Sequence, residues 1–362
     1  MHIAFFGSSL VSAYWNGACT YYRGIVRALA GRGHRVTFYE PDALDRQRHR
    51  DIPDPTWARV VVYEAPEEAA VRRVVGVAAS AADVVIKCSG VGVFDDILER
   101  AVLDARRPGA LVIFWDVDAP ATLTRLELEP ADGLRALVPD YDLVLTYGGG
   151  ARVVTRYEAL GARRCVPIYN ALDPDTHHPV APQDRFRADL SALVNRLPDR
   201  EARVEEFFFS VLEELPDRHF VLAGAGWEDR AGAANLRYLG HLPPASHNAF
   251  NCSPRAVLNV TRDSMVVNGW SPATRVFEAA GAGACVLSDA WEGLDHFLTP
   301  GSEVIACASG ADVVAALEDL DAESARRIGA RARERILEEH TYAHRAEQFE
   351  DLLTSSQVGT LG

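Results

Sequence analysis

Residues 259–289 read NVTRDSMVVNGWSPATRVFEAAGAGACVLSD. We interpret this stretch as the end of a strand, a polar loop, a helix and a second strand. Ser271-Pro272 suits a helix start, because a hydroxyl can accept from free helix amides and the fixed φ of proline fits the first helical position. Apolar residues then follow at i, i+3 and i+4 spacing, namely Val276, Ala279 and Ala280. The sequence therefore predicts a helix that begins near Pro272 between two buried strands.

The start of this helix and its glutamate suggest a nucleotide site. A helix N-terminus offers free N–H groups and partial positive charge, so the Ala273-Thr274-Arg275 turn could hold a phosphate, and Ser271 just before it is also a donor-binding candidate. Either Arg275 or Arg262 would add a full positive charge there. Glu278, one turn further along, could accept two hydrogen bonds from a ribose diol. An ordinary helix with a solvated Glu278 fits the spacing equally well.

The same residues carry a family resemblance. The run GWSPATRVFEAAGAGACVLSDAWEGLDHFL, residues 269–298, resembles the nucleotide-sugar segment of GT-B glycosyltransferases and, more narrowly, their CgeB-like branch. The resemblance extends more weakly through YWNGACTYYRGIVRALAGRGHRVTFYE and FWDVDAPATL. It implies a hexosyltransferase-like enzyme in which Glu278 binds the donor ribose. Many retaining relatives carry another glutamate eight positions earlier, where this chain has Trp270, so the stereochemistry is not carried over.

The resemblance also implies an α/β architecture of two Rossmann-like domains facing a cleft (GT-B), with a C-terminal helix that crosses back to the first domain. We place the acceptor domain at residues 1–170, the nucleotide-sugar donor domain at 171–340, and the crossover helix and tail at 341–362. A chain of 362 residues suits two domains of ordinary size. The strand and helix alternation restarts in the second half, as expected of a second domain.

Composition excludes several classes of protein. The formal net charge of −14 argues against general nucleic-acid or anionic-membrane binding, since both need a basic footprint. The six cysteines are scattered without metal-site spacing, which favours reduced thiols in a cytoplasmic protein. No secretory signal is visible, and no apolar run reaches the roughly 18–20 residues of a membrane span. We expect no cofactor beyond the nucleotide-sugar co-substrate, and no metal.

The first domain offers candidate acceptor and catalytic residues at the ends of its strands. The loop after HIAFFG would lie where a parallel sheet binds ligands, so its candidate contacts to a sugar or an acceptor are Trp15, Asn16 and Gly17. A loop packed under its own aromatic residues is the alternative. The glycine triplet around Gly149 could receive an anion at a helix start, although a tight turn also explains it.

Asp116 and Asp118 follow the buried strand ALVIFW. Either carboxylate could act as the general base of an inverting transfer. Asp118 could instead cap the helix that starts at Pro120, so we regard Asp116 as the freer of the two. A DxD pair can also chelate a cation, but DxD metal sites belong to a different glycosyltransferase architecture.

The second domain supplies the remaining candidates. HFVLAGAGW is a strand that runs into a loop at its C-terminal end, where Gly224 and Gly226 are donor-binding candidates. By resemblance, the backbone near the short strand LRYLGHL receives the nucleotide base, so Tyr238, Gly240 and His241 are candidate base contacts. Arg262 is the leading diphosphate ligand, because its fork of donors suits phosphate oxygens. Contacts to the transferred sugar are expected in the loop after the last strand of the opening stretch, from Trp291, Glu292 and Asp295. A helix cap and a buried aromatic residue explain that loop equally well.

One group of histidines and aspartates has the composition of a metal site, but we interpret its members as surface residues. His177 and His178 follow Asp173 and Asp175 in the connection between the domains. Because no second ligand set stands nearby in the sequence, we expect these to be surface residues.

These features predict a metal-independent glycosyltransferase that moves a sugar from a nucleotide-diphosphate-sugar donor to a small-molecule, saccharide or protein acceptor. A sugar-nucleotide epimerase of the same fold and a non-catalytic nucleotide-sugar-binding protein are the alternatives. A dehydrogenase is disfavoured, since no strand is followed by a well-formed GxGxxG. The sequence leaves open the donor base, the sugar, the acceptor and the oligomeric state.

Overall fold

The computed structural model describes residues 1–14 and 16–358. The chain forms two compact units, of which the first comprises Met1–Tyr169 with the chain from Tyr342 onward, and the second is Asn170–Thr341. Each of these limits lies one residue from the boundary placed from the sequence. Among the described residues, no helix combines the length and the apolar character that crossing a membrane requires.

The first unit is built on a seven-stranded parallel sheet with strand order 3-2-1-4-5-6-7. Its strands are β1 (His2–Phe6), β2 (Arg35–Pro41), β3 (Arg59–Tyr63), β4 (Val84–Cys88), β5 (Leu111–Asp116), β6 (Leu143–Thr146) and β7 (Cys165–Pro167). The connecting helices are α1 (Cys19–Gly31), α2 (Glu68–Ala81), α3 (Asp95–Asp104), α4 (Ala119–Leu128), α5 (Gly133–Leu137) and α6 (Ala151–Ala159). From β1 the strands continue outward in both directions, through β2 and β3 on one side and through β4 to β7 on the other. This is the strand order of a Rossmann-like sheet.

The second unit repeats this architecture with a six-stranded parallel sheet of order 10-9-8-11-12-13. Its strands are β8 (Leu190–Leu193), β9 (Phe220–Ala223), β10 (Leu236–Tyr238), β11 (Ala256–Asn259), β12 (Val286–Asp289) and β13 (Ile305–Cys307). Its helices are α7 (Glu201–Val204), α8 (Ser210–Glu214), α9 (His247–Cys252), α10 (Asp263–Asn268), α11 (Thr274–Gly281), α12 (Leu294–Phe297), α13 (Gly310–Asp319) and α14 (Ala322–Glu339). The prediction of two Rossmann-like α/β domains is confirmed.

The stretch at residues 259–289 forms the predicted strand, helix and strand, with two differences. The central helix α11 begins at Thr274, two residues later than predicted, because the Ser271 hydroxyl donates to the carbonyl of Gly269 at 2.8 Å instead of capping the helix. The presumed polar loop contains the short helix α10, Asp263–Asn268. Both differences arise in the turn around Gly269, which has a φ of 66°.

The C-terminal helix α15 (Tyr342–Val358) belongs to the first unit, where it packs on α1. Gly24 of α1 permits the close approach, since a Cβ at this position would stand 2.1 Å from the Tyr342 ring. Further along α15, the Phe349 ring stacks on Trp115 with centroids 5.4 Å apart. The first unit is therefore completed by residues from the end of the chain.

Two glycines of α1 test this docking. We expect Gly24→Ala to lower the free energy of unfolding by about 1–3 kcal/mol, since the added methyl group overpacks the contact with Tyr342. Gly31 is the matched control, because a Cβ there meets nothing within 4 Å. Gly31→Ala should leave stability within about 1 kcal/mol of wild type, on the stabilising side. Urea denaturation measures both, and equal stabilities of the two variants would contradict the packing of α15 on α1.

Candidate functional site

Helix α11 places Glu278 in a buried position. The side chain of Glu278 is 7% exposed, and the Nη1 atom of Arg275, one turn earlier, lies 3.2 Å from its Oε2 atom. The two groups form an ion pair whose geometry is not that of a hydrogen bond. Within the described chain, Oε2 of Glu278 and both Nε and Nη1 of Arg275 are buried without a hydrogen-bond partner. Buried polar atoms are nearly always hydrogen-bonded, so this pair is suited to receiving a polar ligand.

The Glu278 carboxylate is ionised at neutral pH. Burial alone raises the pKa of Glu278, but the nearby positive charge of Arg275 is the main effect that opposes burial, and the pKa is held below its usual value. An ionised carboxylate only accepts hydrogen bonds, as the two hydroxyls of a diol require. Recognition of a ribose diol is therefore chemically possible at this position.

Two histidines lie beside Glu278. One nitrogen of His177, one nitrogen of His247 and a carboxylate oxygen of Glu278 all lie within 4.8 Å of one another. Burial, together with the charge of Arg275, lowers the pKa of His247 to about 4, so this imidazole is neutral at pH 7. The expectation that His177 is a surface residue was wrong, since its side chain is only 12% exposed. Its neighbour His178 is exposed, as expected.

The segment that carries His177 is attached to α9 and α11 by specific contacts. Asn248, the second residue of α9, donates to the Thr176 carbonyl at 2.9 Å and accepts from the His178 amide at 3.3 Å. Leu172 packs directly against Gly281, where any larger residue would clash, because a Cβ at that position would stand 2.3 Å from the Cδ1 atom of Leu172. These contacts join residues about 70 and 100 positions apart. No local sequence pattern signals them, which is why His247 and Asn248 were missed.

The glycine-rich turns predicted to contact the nucleotide lie together beyond β9 and β10. The Gly224 amide donates to the Gly240 carbonyl at 2.8 Å, and the Tyr238 hydroxyl lies 2.8 Å from the Gly224 carbonyl oxygen. Only glycine fits at position 224, because a Cβ there would stand 2.0 Å from the Val194 carbonyl oxygen. Gly226 has a φ of 93°, so it too has a turn role. His241 is exposed, and the structure leaves its predicted role untested.

The arginine predicted to be the main diphosphate ligand is engaged elsewhere. Arg262 donates from Nε to Asp199 at 2.7 Å, and the Ser264 hydroxyl contacts the same carboxylate oxygen at 3.1 Å. Asp289, at the end of β12, is fully buried and pairs with Arg203 at 2.7 Å. Arg275 is therefore the arginine that lies beside Glu278 with unused donors.

The loop predicted to contact the transferred sugar is partly structural. Trp291 is 8% exposed, and its indole N–H donates to the Ser288 hydroxyl at 3.3 Å. Glu292 accepts through its backbone carbonyl from the Trp270 amide, and its side chain is exposed. Asp295 is exposed in the first turn of α12. Trp291 thus acts as a core residue, while the two acidic side chains are exposed.

In the first unit, the two aspartates after β5 have opposite environments. Asp116 is fully buried and accepts from the hydroxyls of Ser89 at 2.6 Å, Thr122 at 3.0 Å and Tyr157. The expectation that Asp116 is the freer of the two was wrong, because these hydroxyls enclose its carboxylate. Asp118 is half-buried at the N-cap position of α4, where its side chain makes no capping hydrogen bond in the described chain.

The predicted acceptor loop is organised by its own hydrogen bonds. Asn16 donates from Nδ2 to the carbonyls of Ser9 at 2.8 Å and Ser12 at 3.0 Å, and accepts from the Ser8 hydroxyl at 2.8 Å. Gly17 is exposed with open space around its Cα. Trp15 lies outside the described residues.

Gly149 is a structural turn residue. It has a φ of 87°, and a Cβ there would stand 2.3 Å from Val153. The tight turn therefore accounts for Gly149 without a ligand.

Comparison with known proteins supports the assignment of the fold. Residues 200–351 match the family model described as glycosyl transferase-like, a span of less than half the chain. No curated protein matches the sequence. The match favours transfer chemistry over the epimerase alternative.

Solved GT-B structures superpose on nearly the whole chain. Anabaena Alr3699/HepE in complex with UDP and glucose is 15% identical with a TM-score of 0.66, covering 98% of this chain and 100% of that one. Sucrose-phosphate synthase from Thermosynechococcus elongatus is 14% identical with a TM-score of 0.69, covering 100% of both chains. AviGT4, a glycosyltransferase involved in avilamycin A biosynthesis, is 17% identical with a TM-score of 0.62, and the match covers 99% of this chain and 98% of that one. The fold is that of GT-B glycosyltransferases.

Substitution of the two aspartates compares a fully buried carboxylate, Asp116, with a half-buried one, Asp118. We expect Asp116→Asn to lower the free energy of unfolding by about 1–3 kcal/mol, because an amide nitrogen cannot accept the hydroxyl protons that the carboxylate accepts. Asp118→Asn, the matched comparison two residues away, should cost less stability than Asp116→Asn, because the Asp118 side chain is only half-buried. Chemical denaturation of both variants provides the measurement, and a fully stable Asp116→Asn protein would show that the hydroxyl cluster does not hold this loop.

Proposed function

We propose that this protein is a glycosyltransferase that moves a sugar from a nucleotide-diphosphate sugar to an acceptor. One observation carries the proposal: Glu278 and Arg275 lie one turn apart, and a buried carboxylate oxygen of the first and two buried nitrogens of the second have no hydrogen-bond partner among the described residues. They stand on the helix where the glycosyl transferase-like family match falls. The two hydroxyls of a ribose diol could donate to Glu278, and the anionic oxygens of a diphosphate could accept from Arg275.

In the proposed reaction, the bond between the sugar and the diphosphate breaks and negative charge develops on the leaving diphosphate. Arg275 and the first-turn amides of α11, Thr274 among them, would stabilise that charge, and Arg262 would add to it on leaving Asp199. Glu278 would hold the ribose and so fix the position of the reacting carbon. Nothing in this scheme needs a metal ion for the chemical step.

The stereochemical course determines whether a base is needed. An inverting transfer removes the acceptor proton with a general base, and Asp118 is the better candidate because Asp116 is enclosed by hydroxyl donors. A retaining transfer assisted by the diphosphate needs no such carboxylate. Activity of Asp118→Asn compared with wild type distinguishes the two courses.

We propose a donor class from the solved structures that resemble this chain. The Anabaena HepE structures hold UDP with glucose, and UDP-glucose, so a UDP-hexose is the first donor to test. The base would lie against the backbone around Tyr238 and Gly240. We retain the CgeB-like branch, a cytoplasmic location, the absence of nucleic-acid binding, and a small-molecule, saccharide or protein acceptor as parts of the proposal.

A nucleotide panel tests donor binding. The purified protein is heated with UDP, GDP, ADP, CMP or dTDP, and we expect one nucleotide to raise the melting temperature. A ligand at 100 times its dissociation constant stabilises by about 2.7 kcal/mol, which shifts the melting temperature by about 2–4 °C in a protein of this size class. Glu278→Ala and Arg275→Ala should lose most of that response, because each removes one half of the buried pair.

Glu318→Ala is the control for these variants, since Glu318 is exposed on α13 of the same unit. It should respond to the nucleotide as the wild type does. If every nucleotide fails to shift the wild type, or if Glu278→Ala keeps the full shift, the proposed donor site is wrong.

A further inference from the structure

We propose that His177, His247 and Glu278 form a binding site for a Zn²⁺ ion, and that the bound ion takes Glu278 away from the nucleotide. The site itself stands on its own geometry. Its effect on the nucleotide rests on the proposed function, because it requires Glu278 to bind the donor ribose. The transfer chemistry proposed above needs no metal, so the ion acts as an inhibitor and not as a catalyst.

The spacing of the three side chains suits one small ion. Their ligand atoms all lie within 4.8 Å of one another, and Nε2 of His177 is 3.9 Å from Oε1 of Glu278. Around tetrahedral Zn²⁺, with bonds of about 2.0–2.2 Å, ligand atoms stand roughly 3.4 Å apart. Side-chain rotations that move these atoms by about 1 Å therefore complete the site.

The hydrogen bonds of His177 turn its unprotonated nitrogen towards Glu278. The Thr176 hydroxyl lies 3.1 Å from the Asp173 carbonyl oxygen, to which it donates, and 3.0 Å from Nδ1 of His177. With the hydroxyl proton directed at the Asp173 carbonyl, Nδ1 of His177 can donate to the oxygen of Thr176. The lone pair of the ring then lies on Nε2, the atom nearer to Glu278.

A hydrogen bond also determines where the ring proton of His247 lies. Its Nε2 atom lies 3.3 Å from the Leu242 carbonyl oxygen, and a carbonyl can only accept. The proton therefore lies on Nε2, and Nδ1 carries the lone pair that a metal needs. A ligating histidine almost always donates its other ring N–H to an oxygen, and both histidines here do so.

The surroundings hold these ligands in place. Asn248 bonds the backbone on both sides of His177 and follows His247 directly on α9, so one side chain fixes the distance between the two histidines. Arg275 lies at Oε2 of Glu278, while Oε1 lies towards His177. The carboxylate can thus keep its arginine contact on one oxygen and bind an ion through the other.

The ligand set favours zinc over the hard cations. Two imidazoles and one carboxylate are a known donor set for Zn²⁺ that leaves a fourth position open, whereas Mg²⁺ and Ca²⁺ prefer oxygen ligands throughout. A carboxylate bound to Zn²⁺ through one oxygen cannot present both oxygens to a diol. Zinc and nucleotide should therefore compete for Glu278.

Cobalt provides a direct test of the site. The chelator-treated full-length protein is titrated with Co²⁺ alone, whose visible absorption reports its ligands, and Zn²⁺ is then added to displace it. We expect one site per chain, without a thiolate band although all six cysteines are free. His177→Gln and His247→Gln should lose the signal, and His178→Gln, at the exposed neighbour, should keep it. A signal that survives in both His177→Gln and His247→Gln, or no signal in the wild type, overturns the proposal.

Calorimetry then tests the competition. The best nucleotide diphosphate is titrated into the wild type and into His177→Gln, with EDTA or with free Zn²⁺ at about ten times its dissociation constant. Competition predicts roughly tenfold weaker nucleotide binding with zinc in the wild type and no change in His177→Gln. Equal weakening in both proteins would show that zinc acts elsewhere, for example on the nucleotide itself. If the nucleotide fails to bind even with EDTA, the proposed function fails, while the cobalt titration still decides the metal site.

Discussion

An ionised carboxylate that is almost completely buried is the constraint around which this donor site is built. Burial of an unpaired charge costs several kcal/mol, so Glu278 depends on the guanidinium of Arg275 one turn earlier on the same helix. Their ion pair leaves hydrogen-bonding atoms on both partners unused within the described chain. The segment around Leu172 and His177 packs on this helix, because Gly281 leaves room for the Leu172 side chain. The glycine is thus part of the site, although it contacts no ligand in our scheme.

The same carboxylate lies between two groups of different chemistry. Arg275, on one side, complements anions, whereas His177 and His247, on the other, offer imidazole lone pairs. A nucleotide would use the first side and a zinc ion the second, and both would need Glu278. Because the nucleotide and the zinc ion would compete for the two carboxylate oxygens of Glu278, each would lower the protein's affinity for the other by the same factor. This coupling needs no change of fold.

Local patterns allowed much of the fold to be predicted. The alternation of apolar strands and amphipathic helices, together with Ser-Pro and glycine turns, indicated α/β units and the position of Glu278 on a helix, and the family resemblance implied two Rossmann-like domains. Features that depend on distant residues were missed. Asp116 was judged from its neighbours, yet Tyr157 encloses it from α6, and His177 was judged exposed, yet Asn248 binds its backbone from α9. Ser271 was assigned as a cap from its type alone, and its hydroxyl bonds the preceding turn instead.

Recognition of ribose by Glu278 is the central claim, and a nucleotide without the diol tests it most directly. The measurement compares dissociation constants of the preferred nucleoside diphosphate and its 2′,3′-dideoxy analogue, in the wild type and in Glu278→Gln, with EDTA present. Hydrogen bonds to a charged group contribute about 1.5–3 kcal/mol, so the analogue should bind the wild type roughly ten to a hundred times more weakly. In Glu278→Gln, we expect most of that difference to disappear. The same loss in both proteins, or no loss in the wild type, would show that Glu278 does not bind the ribose.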